Sequence, residues 1–294
     1  MIHTPVLKKE VLEYLNPKSD ENFIDGTVGQ GGHARSLLKK TGPSGLLLGL
    51  DLDAGQIENS STGLKDFNKR VILVNDSYAN VSDVVERLHF YPVNGMLLDL
   101  GYSSWQLENS QKGFSFLKDE VLDMRYSLQD MVTAEKIVNE YSEDEIKKIL
   151  QEYGQERFAR QIARAIVRQR KMKKIETTFE LNETIAKAIP GKFQHGKIHY
   201  ATKSFQALRI ATNHELENVE TFLPKAVSLL PAQGRLVVIS FHSLEDRIIK
   251  NFFKTKEREG IVTILTKKPI IASSQEVMEN PRARSAKLRA LIKI

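Results

Sequence analysis

With 294 residues, 41% of them hydrophobic and 27% charged, the chain has the make-up of a soluble globular protein large enough for one big domain or two ordinary ones. The absence of cysteine excludes disulfides, thiolate metal sites and a cysteine nucleophile, and it fits a reducing cytoplasm. The net charge of +6 is unevenly spread: residues 155–209 hold thirteen Lys/Arg against four Asp/Glu, which suits either a polyanionic partner such as nucleic acid or a solvated helix surface.

The chain opens without a charged leader ahead of an apolar core, so no signal peptide is expected. Its apolar runs, such as Leu46–Leu50 and Leu236–Ile239, are strand-length rather than bilayer-length. Short strands are predicted at Phe23–Asp25, Leu46–Asp51, Val71–Val74 and Met96–Leu100, with helical segments around 34–40, 54–60 and 81–88 between them. Strict alternation of this kind predicts a parallel sheet covered by helices on both faces.

Between Gln106 and Asn213 the alternation stops and the periodicity is helical. Ser142 and Glu145 form a capping box ahead of Ile146, Ile149, Leu150 and Tyr153, with Gly154 as the stop. Thr177 and Glu180 form another, ahead of Leu181, Ile185 and Ile189, closed by Pro190. Between the boxes, Phe158, Ile162 and Ile166 share one helix face, while Arg157, Arg160, Arg164 and Arg168 recur on another. The α/β pattern resumes with a strand at Arg235–Ser240, a helix from Leu244 to Phe253, and strands at Ile261–Leu265 and Leu288–Ile294. The expected organisation is an α/β domain from 1–105 and 213–294, interrupted by a helical domain at 106–212.

The run Asp25-Gly26-Thr27-Val28-Gly29-Gln30-Gly31-Gly32-His33 is a strand passing through a glycine-rich turn into a helix. Glycines there permit positive φ and close approach of a ligand, and the helix start offers free amides. Asp51 ends the second strand and Asp99 the fourth; at the carboxyl ends of an open α/β sheet these acids converge on one crevice. A carboxylate at Asp51 can accept both ribose hydroxyls of an adenosine. The turn departs from Gly-x-Gly-x-x-Gly, which weakens a dinucleotide site and favours S-adenosylmethionine, a donor with one ribose and no phosphate.

Several blocks in one order then resemble the bacterial 16S ribosomal RNA cytosine-N4 methyltransferases (the RsmH or MraW type). They are His3–Leu7 with Glu10–Leu12, Asp25–His33, Asp99–Ser104, Gly113–Phe116 with Leu122–Arg125, Phe205–Ile210, Val238–Arg247 and Asn280–Arg289. The resemblance implies a Rossmann-like class I S-adenosylmethionine methyltransferase sheet with an inserted all-helical domain. It implies cofactor contacts at Gly31, Gly32, His33, Asp51, Tyr78, Asp99 and Gln106, with Tyr78 placed to stack on adenine. It implies 16S ribosomal RNA as partner, within the small subunit or its precursor, in the cytoplasm and without a membrane, and it admits a homodimer. The chain departs from the family pattern at Tyr102, where a small aliphatic residue is usual, at Lys112, usually arginine, and at Tyr200, usually proline. Lys112 keeps the charge and loses the bidentate fork.

Methylation at the ring carbon of cytosine normally uses a thiolate adduct, which a chain without cysteine does not supply. Transfer to the exocyclic N4 needs only alignment of the amine and direct in-line attack. Asp99 is expected to position the amine, with Ser103 or Ser104 orienting the base or merely capping the next turn. His242 is a candidate for base contact or proton relay, or else a packed loop residue beside Ser243, the expected helix cap. His195 and His199 have ligand-like spacing, but the basic loop around them argues against a metal, and none is expected in catalysis. The stripe Arg157, Arg160, Arg164 and Arg168, extended by Lys171, Lys173 and Lys174, is the expected RNA-backbone contact, with Arg282, Arg284, Lys287 and Arg289 a second candidate. Two rivals share some of these features: a nicotinamide-dependent oxidoreductase, and a non-catalytic ribosome-assembly factor that keeps the fold as scaffold.

Overall fold

A computed structural model describes residues 5–101, 107, 110–196 and 198–294. They fall into two compact units, residues 1–101 with 216–294, and residues 102–215, where the sequence suggests breaks at 105/106 and 212/213.

The first unit is organised by strands that are apolar on both faces. Eight strands form one sheet: β1 (Phe23–Asp25), β2 (Leu47–Asp51), β3 (Val71–Asn75), β4 (Gly95–Asp99), β5 (Arg235–Ser240), β6 (Val262–Ile264), β7 (Ile270–Ile271) and β8 (Lys287–Lys293). Their order is β3-β2-β1-β4-β5-β8-β6, with β7 pairing β8. The first five are mutually parallel, whereas β8 runs antiparallel to β5, β6 and β7. Successive side chains alternate between two cores. Ile24, Leu48, Met96, Leu98, Leu236 and Val238 join one, with Val84, Phe222 and Ile249 from covering helices. Phe23, Leu47, Leu97, Val237 and Ile239 join the other, with Val11 and Leu37. This period of two, apolar on both sides, is what a sheet buried by helices on both faces requires.

From β1 the chain winds outward through β2 to β3, then returns to lay β4 and β5 on the other side of β1. The carboxyl ends of β1, β2 and β4 therefore meet at a topological switch point, where ligands bind in open α/β sheets. The predicted strands are all present within a residue or two. The helices Lys8–Leu15, Glu215–Leu229 and Ser274–Glu279 and the two-residue β7 are not predicted; the last is too short to carry a period.

The second unit is helical. Helices Ala134–Glu140, Glu143–Glu152, Ala159–Arg170, Thr178–Ala188 and Thr202–Asn213 enclose a core that includes Ile137, Ile146, Leu150, Ile162, Ile166, Leu181, Ile185, Phe205 and Leu208. Both predicted capping boxes form, on Ser142 with Glu145 and on Thr177 with Glu180. Gly154 does not provide the left-handed stop. That conformation belongs to Gln155 (φ 48°). A Cβ on Gly154 would instead lie 2.6 Å from the Lys203 carbonyl oxygen, so glycine there allows the helix Thr202–Asn213 to pack close.

A buried ion pair ties the end of that helix. Arg209 donates Nε and Nη2 to the two carboxylate oxygens of Glu215 at 2.8 and 2.9 Å, and Tyr126 Oη donates to Glu215 Oε1 at 3.1 Å. Asn213 accepts from Tyr126 N at 2.8 Å and donates to Met124 O at 2.8 Å. Arg209 and Glu215 are 8% and 7% exposed, so removing one partner strands a desolvated charge. Glu215→Ala should destabilise the helical unit by about 3–5 kcal/mol, read as a lowered denaturation midpoint.

Candidate active site

The glycine turn is stitched between two neighbouring strand ends. Gly26 N donates to Leu97 O of β4 at 2.9 Å, and Val28 N to Leu50 O of β2 at 2.8 Å. Asp99 N donates to Thr27 Oγ1 at 2.7 Å, and Gly29 N to Asp51 Oδ2 at 3.0 Å. A single loop thus fixes both acids that the sequence singles out. Gly29 and Gly31 have φ of +51° and +79°, which an L side chain seldom adopts. A Cβ on Gly31 would come within 2.9 Å of Leu64, and one on Gly32 within 2.5 Å of Pro5. Both glycines are therefore required by protein packing, whatever their amides contribute to a ligand. Gly29 is different: a Cβ there would meet only Thr27 O, at 3.8 Å.

Asp51 is half-buried and accepts from Asp53 N on Oδ1 at 3.0 Å as well as from Gly29 N on Oδ2. Burial pushes its pKa up to about 7; the two amides oppose the rise, and the nearby Asp53 and Asp25 add to it. Each oxygen retains a lone pair for a further donor. Asp25, the third acid that the sequence places at this crevice, is almost wholly buried. Its carboxyl is pushed up to about 6 by burial, opposed by His33 and the Thr27 amide and reinforced by Asp99.

His33 lies in the first turn of the helix Gly32–Lys40 and is buried, with Nε2 3.6 Å from Asp99 Oδ2. Both its ring nitrogens and Asp99 Oδ1 are buried without a hydrogen-bond partner among the described residues. Buried polar atoms are seldom left in this state unless a ligand or water completes them. Tyr78 follows β3, half-buried, with its ring edge-on to Phe222 at 5.6 Å, and its Cβ lies 3.2 Å from where a Gly26 Cβ would stand. The structure thus brings Gly31, Gly32, His33, Asp51, Tyr78 and Asp99 to one end of the sheet. Ser103, Ser104, Gln106 and Tyr102 lie outside the described residues.

His242 has a structural task. It, and not Ser243, is the N-cap of the helix Ser243–Arg258: Nδ1 accepts from Glu245 N at 3.4 Å, while Glu245 Oε2 accepts from Phe241 N and His242 N. His242 Nε2 also lies 3.1 Å from Glu245 Oε1. Histidine is outside the usual set of capping residues, which is why the sequence points to its neighbour. In the second unit, His199 stacks on Phe116 at 4.4 Å, and burial lowers its pKa; His195 is exposed. Lys112 Nζ donates to Arg125 O at 3.2 Å, and Tyr200 packs against His199.

All seven residues of the basic stripe are exposed. Arg160, Arg164, Arg168 and the C-cap Lys171 fall within a sector of about 80° at 100° per residue, opposite the buried Ile162 and Ile166, while Arg157 precedes the helix. Several are already paired: Arg164 lies 3.8 Å from Glu143, and Lys173 and Lys174 form ion pairs with Glu180 and Glu135. Arg160, Arg168 and Lys171 have no acidic partner among the described residues. In the C-terminal cluster, Arg289 and Lys287 pair with Asp246 at 2.6 and 3.6 Å, so that second basic candidate is partly committed to the fold.

A family model described as the MraW methylase family matches residues 1–294. The chain belongs to the MraW methylase family. Relatives named "Ribosomal RNA small subunit methyltransferase H" include one from Thermotoga neapolitana, 46% identical over 98% of this chain and 95% of its own length. Another, from Sulfurihydrogenibium sp., is 46% identical over 98% and 97%. Among solved structures, an rRNA methylase assignment from Clostridium thermocellum superposes with a TM-score of 0.52 at 15% identity, covering all of both chains. A Streptococcus mutans protein described as a methyltransferase, in complex with SAH, gives 0.50 at 12%, again over all of both chains. The fold is thus that of Rossmann-like methyltransferases, and the cofactor that the sequence points to is S-adenosylmethionine.

The residues present fit that cofactor: a half-buried carboxylate with free lone pairs for ribose, an aromatic ring after β3, and orphaned polar atoms on His33 and Asp99. Below about pH 7 Asp51 is protonated in the free protein, whereas ribose hydroxyls donate best to its ionised form. Affinity for S-adenosylmethionine should therefore fall as pH drops below about 7, by up to about tenfold per unit. Asp51→Asn should weaken binding and flatten most of that slope. Calorimetric titration across this range checks both.

Proposed function

We propose that this methylase transfers a methyl group to the exocyclic N4 of a cytidine in the decoding region of 16S ribosomal RNA, directly and without a covalent adduct. The observation that carries the methyl-transfer chemistry is an unsatisfied, buried carboxylate oxygen on Asp99 at the same switch point as Asp51, the two acids ending the strands on either side of β1. The RNA target is supported by the relatives' name and by the exposed arginine face of the helical unit. The absence of cysteine supports an amine rather than a ring carbon as acceptor.

S-adenosylmethionine, when bound, supplies an electrophilic methyl group. Asp51 accepts the ribose hydroxyls, and Tyr78 offers its ring to adenine. Gly31, Gly32, His33, Asp99 and Gln106 complete the cofactor contacts. The N4 lone pair is delocalised into the cytosine ring, so the amine needs an acceptor that aligns and polarises its N–H bonds. Asp99 Oδ1 performs this task and takes the proton released as the N–C bond forms; His33 lies beside it, with Nε2 3.6 Å from Asp99 Oδ2. Ser103 or Ser104 orients the base. His242 Nδ1 serves the helix cap, and its buried Nε2, without a hydrogen-bond partner among the described residues, is the atom that would contact the base or relay the proton.

The substrate is 16S ribosomal RNA in the small subunit or its precursor, and the target base must be unstacked to reach Asp99. No helix among the described residues is long and apolar enough to cross a membrane, and a ribosomal substrate puts the enzyme in the cytoplasm. Homodimerisation is compatible with this account.

Nucleoside analysis of small-subunit RNA after reaction should show N4-methylcytidine; 5-methylcytidine, or no methyl on cytidine, would contradict the proposal. Asp99→Asn should lower turnover by about 10²–10⁴-fold at saturating cofactor. Unchanged single-turnover rates would remove Asp99 from the chemistry.

A further inference from the structure

The helical unit carries a cation–aromatic cluster that sequence periodicity does not reveal. Phe193 closes the 3-10 turn Gly191–Phe193 after Pro190 and is 37% exposed. Its ring lies 5.2 Å from that of Phe158, tilted by 52°. The Arg157 guanidinium sits 5.0 Å from the Phe193 centroid and 5.6 Å from that of Phe158. Lys192 Nζ is 5.2 Å from the Phe193 ring. Gly191 leaves the approach clear, since a Cβ there would meet nothing within 4 Å.

Arg157 is also the first member of the exposed stripe that continues through Arg160, Arg164, Arg168 and Lys171. A track of cations leading to an exposed aromatic ring suits one ligand class well. Phosphates follow the cations, and an unpaired base stacks on the ring with help from the guanidinium. A duplex would use the cations but keeps its base faces hidden in the stack. An acidic peptide would use the cations and has no π face to offer.

Taking ribosomal RNA as the substrate, we propose that Phe193, with Arg157 and Lys192, is a stacking platform for an unpaired nucleotide of that RNA, with its backbone running along the arginine stripe. The platform selects single-stranded RNA; the stripe supplies affinity irrespective of strandedness.

The test compares the full chain with Phe193→Ala, Phe193→Leu and Arg160→Ala, binding a labelled single-stranded RNA of about 12 nucleotides and its duplex over a range of salt. Both Phe193 variants should bind the single strand about fivefold to a hundredfold more weakly, the loss of one stacked base, with the salt slope unchanged and duplex binding altered less than twofold. Arg160→Ala should weaken both RNAs and reduce the salt slope by about 0.7–0.9. Phe193→Leu keeps the apolar bulk, so it carries the test if the alanine variant melts early. Wild-type affinity in Phe193→Leu, or an equal loss on duplex, would overturn the platform alone. Failure of the wild-type chain to bind either RNA would overturn the RNA substrate as well.

Discussion

The seating of one loop between two strand ends governs the candidate site. The turn from Gly26 to Gly31 is bonded through Gly26 N to β4, through Val28 N to β2, and through Gly29 N to the Asp51 side chain. Thr27 Oγ1 in turn receives the Asp99 amide. Such close stitching is possible only for a chain with little side-chain bulk and two left-handed residues, which is why glycines recur there. Because the same loop starts the helix that carries His33, the positions of Asp51, Asp99 and His33 are not independent. Displacing the turn would move all three.

The electrostatics follow from that geometry. Three carboxyl groups, Asp25, Asp51 and Asp99, crowd one end of a buried sheet, and burial raises the first two to about 6 and about 7. In isolation this is an unfavourable arrangement, since proteins rarely bury acids without partners. It becomes reasonable if the bound donor brings hydroxyls to Asp51 and the acceptor brings an amine to Asp99. Unsatisfied atoms on His33 and Asp99 are thus as informative as the satisfied ones.

Much of this was legible in the sequence, for local reasons. Strand, turn and helix follow one another within a dozen residues around Asp25, and Asp51 and Asp99 stand at strand ends where the hydrophobic run stops. The arginine stripe is legible because a helix repeats every three to four residues. Features that depend on distant residues were not. Leu64 and Pro5 explain Gly31 and Gly32, and neither is close to them in sequence. Glu135, Glu143 and Glu180 neutralise part of the basic stripe from other helices. Phe193 meets Arg157 across more than thirty residues of chain. His242 caps a helix although its residue type does not advertise it. The expectation of cofactor contacts at Tyr78 and Gln106 came from family resemblance alone.

The central claim is that the methyl donor lies across the carboxyl ends of β1, β2 and β4 with its reactive end toward Asp99. A crystal structure of the chain with S-adenosylhomocysteine tests it most directly. The account predicts both ribose hydroxyls on the Asp51 carboxylate, the adenine against Tyr78, and the sulfur on the Asp99 side of the glycine turn. Ligand bound elsewhere, or bound here with Asp51 free of the ribose, would contradict it.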